Sequence, residues 1–166
     1  MSVAVHYHRL AHHYQAAESA PAHKLKTPFA KICLDSHNKA RASKGVPPLI
    51  WDISTEAMAK VWAKEALESK DHTVTESKTV GYNIAKTTSC AHAVKTWMQT
   101  VKHWHDNGEP VEKEDLKNAK PYLNVMWENT GMLGCAEHKG YLVCAYNLKG
   151  AVEGKLPYGV AKPKST

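Results

Sequence analysis

Two apolar segments, residues 132–138 and 141–148, flank the dipeptide Lys139-Gly140, and no other feature restricts the fold of this chain as tightly. A two-residue loop containing glycine is the shortest connection between antiparallel strands, and its length sets the pairing outward from the turn. His138 then faces Tyr141, residues 137 and 136 face 142 and 143, and Cys135 lands directly opposite Cys144. That position belongs to the close, non-hydrogen-bonded class of pairs, where the Cα separation lies at the short end of the range a disulfide tolerates. Both cysteines would also serve as small buried hydrophobes, but their direct opposition favours a bond wherever the compartment is oxidising. The other two cysteines, Cys33 and Cys90, leave their pairing open.

Upstream of the hairpin the apolar spacing turns helical. Thr27 is an N-cap with Pro28 at the first helical position, and Gly45 follows the last turn. Between them Phe29, Ile32, Cys33, Ser36 and Ala40 form the expected inward stripe. Residues 45–52, Gly-Val-Pro-Pro-Leu-Ile-Trp-Asp, must be a loop because consecutive prolines exclude helix, and Trp51 gives it an apolar anchor. Asp52 or Ser54 caps a second helix with Met58, Val61, Trp62, Ala66 and Ser69 on one face. A third helix over 90–104 carries Val94, Trp97, Met98, Val101 and Trp104. Residues 80–85 are a short strand, and residues 106–120, charged and broken by Gly108 and Pro110, are an exposed loop with about one helical turn.

Hydrophobic content of 43% over 166 residues suits one domain with a sizeable core, and no apolar run is long enough to span a bilayer. The expected division is an N-terminal extension over 1–26, a domain over 27–160 and a tail over 161–166. The extension holds His6, His8, His12, His13 and His23; His8 and His12 have a spacing that would clasp a metal on a helix, although clustered histidines in an arm are commonly incidental. No secretory address is visible in residues 1–20, so the chain is expected to be either a secreted protein without its leader or an intracellular one. The net charge of +6 suits an acidic partner. Its carriers are nearly all lysine, with arginine only at Arg9 and Arg41, which disfavours sequence-specific nucleic-acid readout through guanidinium forks.

In order along the chain, these segments resemble a known family. His37-Asn38-Lys39-Ala40-Arg41 followed by residues 45–52 resembles the opening of CAP domains, the superfamily of plant pathogenesis-related and venom allergen-like proteins, where an HN..R helix leads into a G.PPL.WD loop. Residues 127–135, Trp-Glu-Asn-Thr-Gly-Met-Leu-Gly-Cys, resemble the family's W.NT...GC segment. Cys144-Ala145-Tyr146 with Gly150, Gly154 and Pro157-Tyr158 resembles the plant proteins' terminal pattern. The resemblance covers about residues 29–158. It implies an α+β fold, a three-layer α-β-α sandwich with a central antiparallel sheet, and a bond between Cys135 and Cys144 by correspondence with the family's cysteines.

The family's central cleft typically holds two histidines and two glutamates able to coordinate a divalent cation. In this chain His72 corresponds to the first histidine. Tyr82 stands where the first glutamate should be, Thr100 replaces the second, and Pro121 occupies the second histidine's position. A neutral phenol, a hydroxyl and a proline do not replace two carboxylates and an imidazole, so no metal or other cofactor is expected in the cleft. No catalytic residue is expected either, since hydrolysis needs a nucleophile, a base and an orienting group, and His72 has lost its carboxylate partners. Sterol binding is disfavoured because residues 106–120 lack aromatics, while a fatty-acid slot between the first and third helices stays open to their apolar stripes. The expected role is non-enzymatic interaction with a protein partner of acidic surface, with fatty-acid or sterol carriage as the alternative. The stretch 150–158 also resembles a region released as a signalling peptide in plants, although Asn147, Leu148, Lys149 and Ala151 depart from the usual pattern there.

Overall fold

A computed structural model describes residue 25 and residues 27–104 and 108–159. The expected N-terminal extension, its His8 and His12 included, lies outside the described residues except for Leu25, as does the tail. Helix α1, Pro28–Ala42, begins where Thr27 Oγ1 accepts the Ala30 N–H at 3.1 Å. Past its end Gly45 adopts φ +68°, a conformation that side chains with a Cβ resist. The chain then forms β1, Ile50–Trp51, and helix α2, Ile53–Glu68, whose N-cap is Asp52. After β2, Val80–Lys86, helix α3, Cys90–Gln99, continues as a 3₁₀ turn over Thr100–His103. Two short helices follow, α4 over Lys113–Asn118 and α5 over Lys120–Met126, before β3, Met132–His138, and β4, Tyr141–Asn147.

The sheet has the order β1-β3-β4-β2, and its layers follow from strand alternation. On β4, Tyr141, Val143 and Ala145 face Ala59, Trp62, Ala63 and Ala66 of α2. Leu142, Cys144 and Tyr146 point the opposite way into a core built with α1, α3 and α5. The β3–β4 register is the one the turn requires, with His138 paired to Tyr141 and Cys135 to Cys144. Lys139 and Gly140 have φ of 47° and 87°, which suits a hairpin turn matched to strand twist. The sheet is mixed rather than wholly antiparallel: β1 pairs parallel with β3, Ile50 opposite Met132, while the other three strands are antiparallel.

Helix phase is where the expected stripes shift. The buried face of α1 is Ala30, Cys33, His37 and Arg41, and Ile32 is 49% exposed. Arg41 is fully buried because its guanidinium replaces water with carbonyls. Its Nε donates to Pro47 O at 2.6 Å, Nη1 to Val125 O at 2.9 Å and Trp127 O at 2.8 Å, and Nη2 to Thr130 O at 3.1 Å. Burial lowers its pKa to about 10, which leaves it cationic at neutral pH. On α2 the buried face is Thr55, Ala59, Trp62, Ala63 and Ala66, leaving Val61 exposed, and on the 3₁₀ turn Val101 also points outward. Residues 106–120, expected as a loop with one helical turn, do contain α4, whereas α5 was not anticipated.

Three substitutions test this packing. Gly134 lies where α2 crosses β3, and a Cβ there would sit 2.0 Å from the Glu56 nitrogen. Gly134→Ala should therefore lower the unfolding free energy by about 3 kcal/mol in a urea titration. Gly131→Ala, whose methyl meets nothing within 4 Å, should change it by less than about 0.5 kcal/mol. Arg41→Lys should cost about 3 kcal/mol in the same assay, because one ammonium cannot reproduce the guanidinium fork's bonds to four carbonyls.

Candidate functional site

The four positions matched to the family's metal ligands do not present converging donors. His72 sits in the left-handed region, φ 52°, just beyond α2. Its Nδ1–H donates to Ala66 O at 2.9 Å, leaving Nε2 to accept from the Tyr141 hydroxyl at 3.2 Å. The two rings are stacked with centroids 4.8 Å apart. Both ring nitrogens are thus engaged in holding the post-helix turn against the start of β4. Tyr141 pairs with Lys86, whereas Tyr82 pairs with Ala145 four residues along the strand. At the rise of a β-strand the backbone positions that His72 and Tyr82 adjoin on β4 are roughly 13 Å apart.

Tyr82 turns its ring toward α2, where it packs against Trp62 at 5.4 Å. Its phenol pKa is raised, mainly by burial and then by the charges of Glu76 and Glu65, so it stays protonated at neutral pH. Thr100 lies on the other side of the sheet, where its Oγ1 donates to Trp97 O at 2.8 Å and accepts the Tyr122 N–H at 3.0 Å. Pro121 contributes only its carbonyl, which receives Asn83 Nδ2 at 2.9 Å. This donor set does not fit a divalent cation: one imidazole has both nitrogens occupied, a phenol remains neutral, and a hydroxyl is committed to the backbone.

What the fold does assemble here is a buried polar network. His37 Nδ1–H donates to Cys33 O at 2.7 Å, and its Nε2 accepts from the Tyr146 hydroxyl at 2.8 Å. Tyr146 in turn receives Asn83 Nδ2 at 3.2 Å, and Asn83 Oδ1 receives Asn124 Nδ2 at 2.9 Å. Asn124 Nδ2 also bonds Tyr82 O, and Trp97 Nε1 bonds Ile84 O, so two outward carbonyls of the open β2 edge are covered by side chains. Asn124 Oδ1 is buried without a hydrogen-bond partner among the described residues. It faces a small, roughly water-sized cavity lined by Glu76, Ser77, Gly81, Tyr82, Lys120 and Lys149. The sequence offered little warning of this network, because Asn83 and Asn124 acquire their partners from segments about 40 residues apart.

The described residues also contain two disulfides. Cys135–Cys144 forms as the hairpin register requires, with Cα atoms 4.1 Å apart. Cys33–Cys90, left open by the sequence, joins α1 to the first residue of α3 with Cα atoms 5.2 Å apart. Its 57-residue separation carries no local pairing signal.

Burial lowers the pKa of His37 to about 4; the Cys33 carbonyl opposes this and the Arg41 cation adds to it. An ordinary histidine in the unfolded chain takes up its proton near 6.5, so the unfolded state gains protons first as pH falls. Stability attributable to this group is complete above pH 6.5 and declines by about 3 kcal/mol by pH 4. Urea titrations across that window should show a steeper loss for the native chain than for His37→Gln; equal slopes would remove His37 as the cause.

Comparison with known proteins agrees with this architecture. The model for "CAP: Cysteine-rich secretory protein family" matches residues 34–146. Pathogenesis-related protein 1C of Nicotiana tabacum is 33% identical over 135 residues, 75% of this chain and 78% of its own length. Venom allergen 5.02 of Vespa crabro is 29% identical over 129 residues, 70% of this chain and 64% of its own. Among solved structures, Na-ASP-1 superposes with a TM-score of 0.68 at 18% identity, covering 80% of this chain and 42% of that one. NaASP2, solved with Zn2+, gives a TM-score of 0.62 at 22% identity over 77% of this chain and 83% of its own. The fold is therefore the family's α+β sandwich, and this chain belongs to the CAP, or cysteine-rich secretory protein, family.

Proposed function

We propose that this chain is a non-catalytic CAP protein that acts by binding a protein partner, the family's cleft metal chemistry having been lost. The observation that carries this reading is the redistribution of the four cleft positions. His72 and Tyr82 are taken into contacts with the α2 layer, while Thr100 and Pro121 hold backbone on the opposite layer. Hydrolysis lacks support for the same reason. The hydrogen-bond partners of His72 among the described residues are the Ala66 carbonyl and the Tyr141 hydroxyl, and neither is a carboxylate that would orient the ring for base catalysis.

The arrangement of α1 and α3 supports interaction over lipid carriage. A fatty acid between these helices would need their apolar faces to part. Instead Cys33 is bonded to Cys90, and the His37 ring lies 6.2 Å from Trp97, with Ala93 and Val94 buried in the same core. Among the described residues no helix is long and apolar enough to cross a membrane. The charge of +6 suits a partner with an acidic surface, which would be steered by the net positive charge and released by salt.

Zinc titration of the full chain and of His72→Ala, with both disulfides intact, should give the same stoichiometry even where the N-terminal histidines take up metal. Loss of one equivalent in the variant would restore a cleft site. Native mass spectrometry of protein from its natural source should show the bare chain mass; a stoichiometric fatty acid or sterol would make lipid carriage the better reading. An immobilised full chain should retain a partner protein that elutes with rising salt, and retention insensitive to salt would contradict a charge-steered contact.

A further inference from the structure

The two disulfides are not separate staples. All four sulfurs, of Cys33, Cys90, Cys135 and Cys144, lie within 4.8 Å of one another, and all four residues are buried. They come from four different elements, α1, α3, β3 and β4, so the cluster is a product of the packed core rather than of any local spacing. Two bridges that only stapled distant parts of the chain would have no need to touch.

We propose that, once reduced, these four side chains form a tetrathiolate site for a soft divalent cation such as Zn2+ or Cd2+. A tetrahedral zinc ion with Zn–S bonds near 2.3 Å places its sulfurs about 3.8 Å apart, inside the envelope the four already occupy. Thiolate donors select such ions over hard cations, and a buried apolar surround excludes competing water. Cys90 is the first residue of the ten-residue α3, where the positive end of the helix favours the thiolate. The backbone that carries the sulfurs is held independently of the bridges. Cys135 and Cys144 stay opposed through the β3–β4 ladder, and Cys33 stays on the core face of α1 through His37 and Arg41, one and two turns further along.

The chemistry requires an external dithiol. One of its thiolates attacks a bridge sulfur to give a mixed disulfide, and its second thiol displaces the protein thiol. Each bridge thereby takes up two electrons and two protons while the reductant closes to a disulfide. The cation then binds as the four thiols release their protons. Because the sulfurs are buried, both steps need a transient opening of the core, so the site is slow to load and slow to empty.

The test uses the full chain, reduced anaerobically with a dithiol, freed of reductant and titrated with Co2+ or Cd2+. The expected result is one equivalent per chain with thiolate-to-metal charge-transfer absorption, the tetrahedral Co2+ spectrum and native circular dichroism. The oxidised chain, which keeps every histidine but no thiol, should show none of the thiolate signal. If reduction alone unfolds the chain, the cation should restore native dichroism. The double variant Cys33→Ala/Cys90→Ala, reduced in the same way, should lose the one-to-one signal while the β3–β4 ladder keeps the hairpin paired. A reduced, folded chain without thiolate absorption, a signal saturating at more than one cation, an unfolded chain that the cation does not refold, or an undiminished signal in the double variant would each overturn the proposal. None of these outcomes depends on the cleft reading above.

Discussion

A single buried guanidinium holds the layers of this domain in register. Arg41 reaches from α1 to the loop before β1 through Pro47, to α5 and its end through Val125 and Trp127, and to the approach to β3 through Thr130. Carbonyls at the end of a short helix lack intrahelical partners and carry partial negative charge, so they are suitable acceptors for a cation with several donors in a rigid fork. A charge moved from water to a core is costly unless its donors are used, and here four carbonyls accept from four of the guanidinium's five N–H groups. Leaving any of these segments out of place would strand a charge in an apolar surround.

The same face of α1 carries two more long-range links, each of a different kind. One turn before Arg41, His37 joins the helix to the sheet through Tyr146, and one turn earlier Cys33 joins it covalently to α3. Tyr146 passes the connection to Asn83 and Asn124, so helix, sheet and α5 share one polar chain. Pairing makes such networks stabilising and specific; this one is paired from His37 to the Asn124 amide nitrogen, and protonation of His37 would perturb it at its first link. The residues that hold backbone in this network are ones the family's landmarks already mark, His37 and Arg41 among them. His72 has a comparable role at the other layer, with its ring nitrogens engaged by Ala66 and Tyr141.

How much of this could be read along the chain depended on the distance between partners. Helix starts were legible because a cap is completed within three residues, as Thr27 with Ala30 and Asp52 with Thr55. The stripes of α1 and α2 were misphased because hydropathy placed Ile32 and Val61 inside, whereas the core accepts Arg41, His37 and Thr55 once hydrogen bonds satisfy them. Helix α5 was not anticipated because its seven residues span only about two turns, too few for an apolar stripe to register, although Pro121 suits a helix's first turn. The identities of His72, Tyr82, Thr100 and Pro121 were visible, but the partners they take in the packed layers were not.

The sequence by itself determined the hairpin and its register. A two-residue turn leaves only one pairing, and strand alternation then sends Cys144 to one layer and Val143 to the other. It also determined the helix caps and the order of the family's landmarks, all of which depend on covalent neighbours. Only the tertiary structure decided that Cys33 meets Cys90, that β1 joins the sheet in parallel, that Arg41 is buried, and that four sulfurs gather at one point. Those outcomes require segments tens of residues apart to arrive together, and their free energy comes from burial and complementary donors that exist only once the layers have packed.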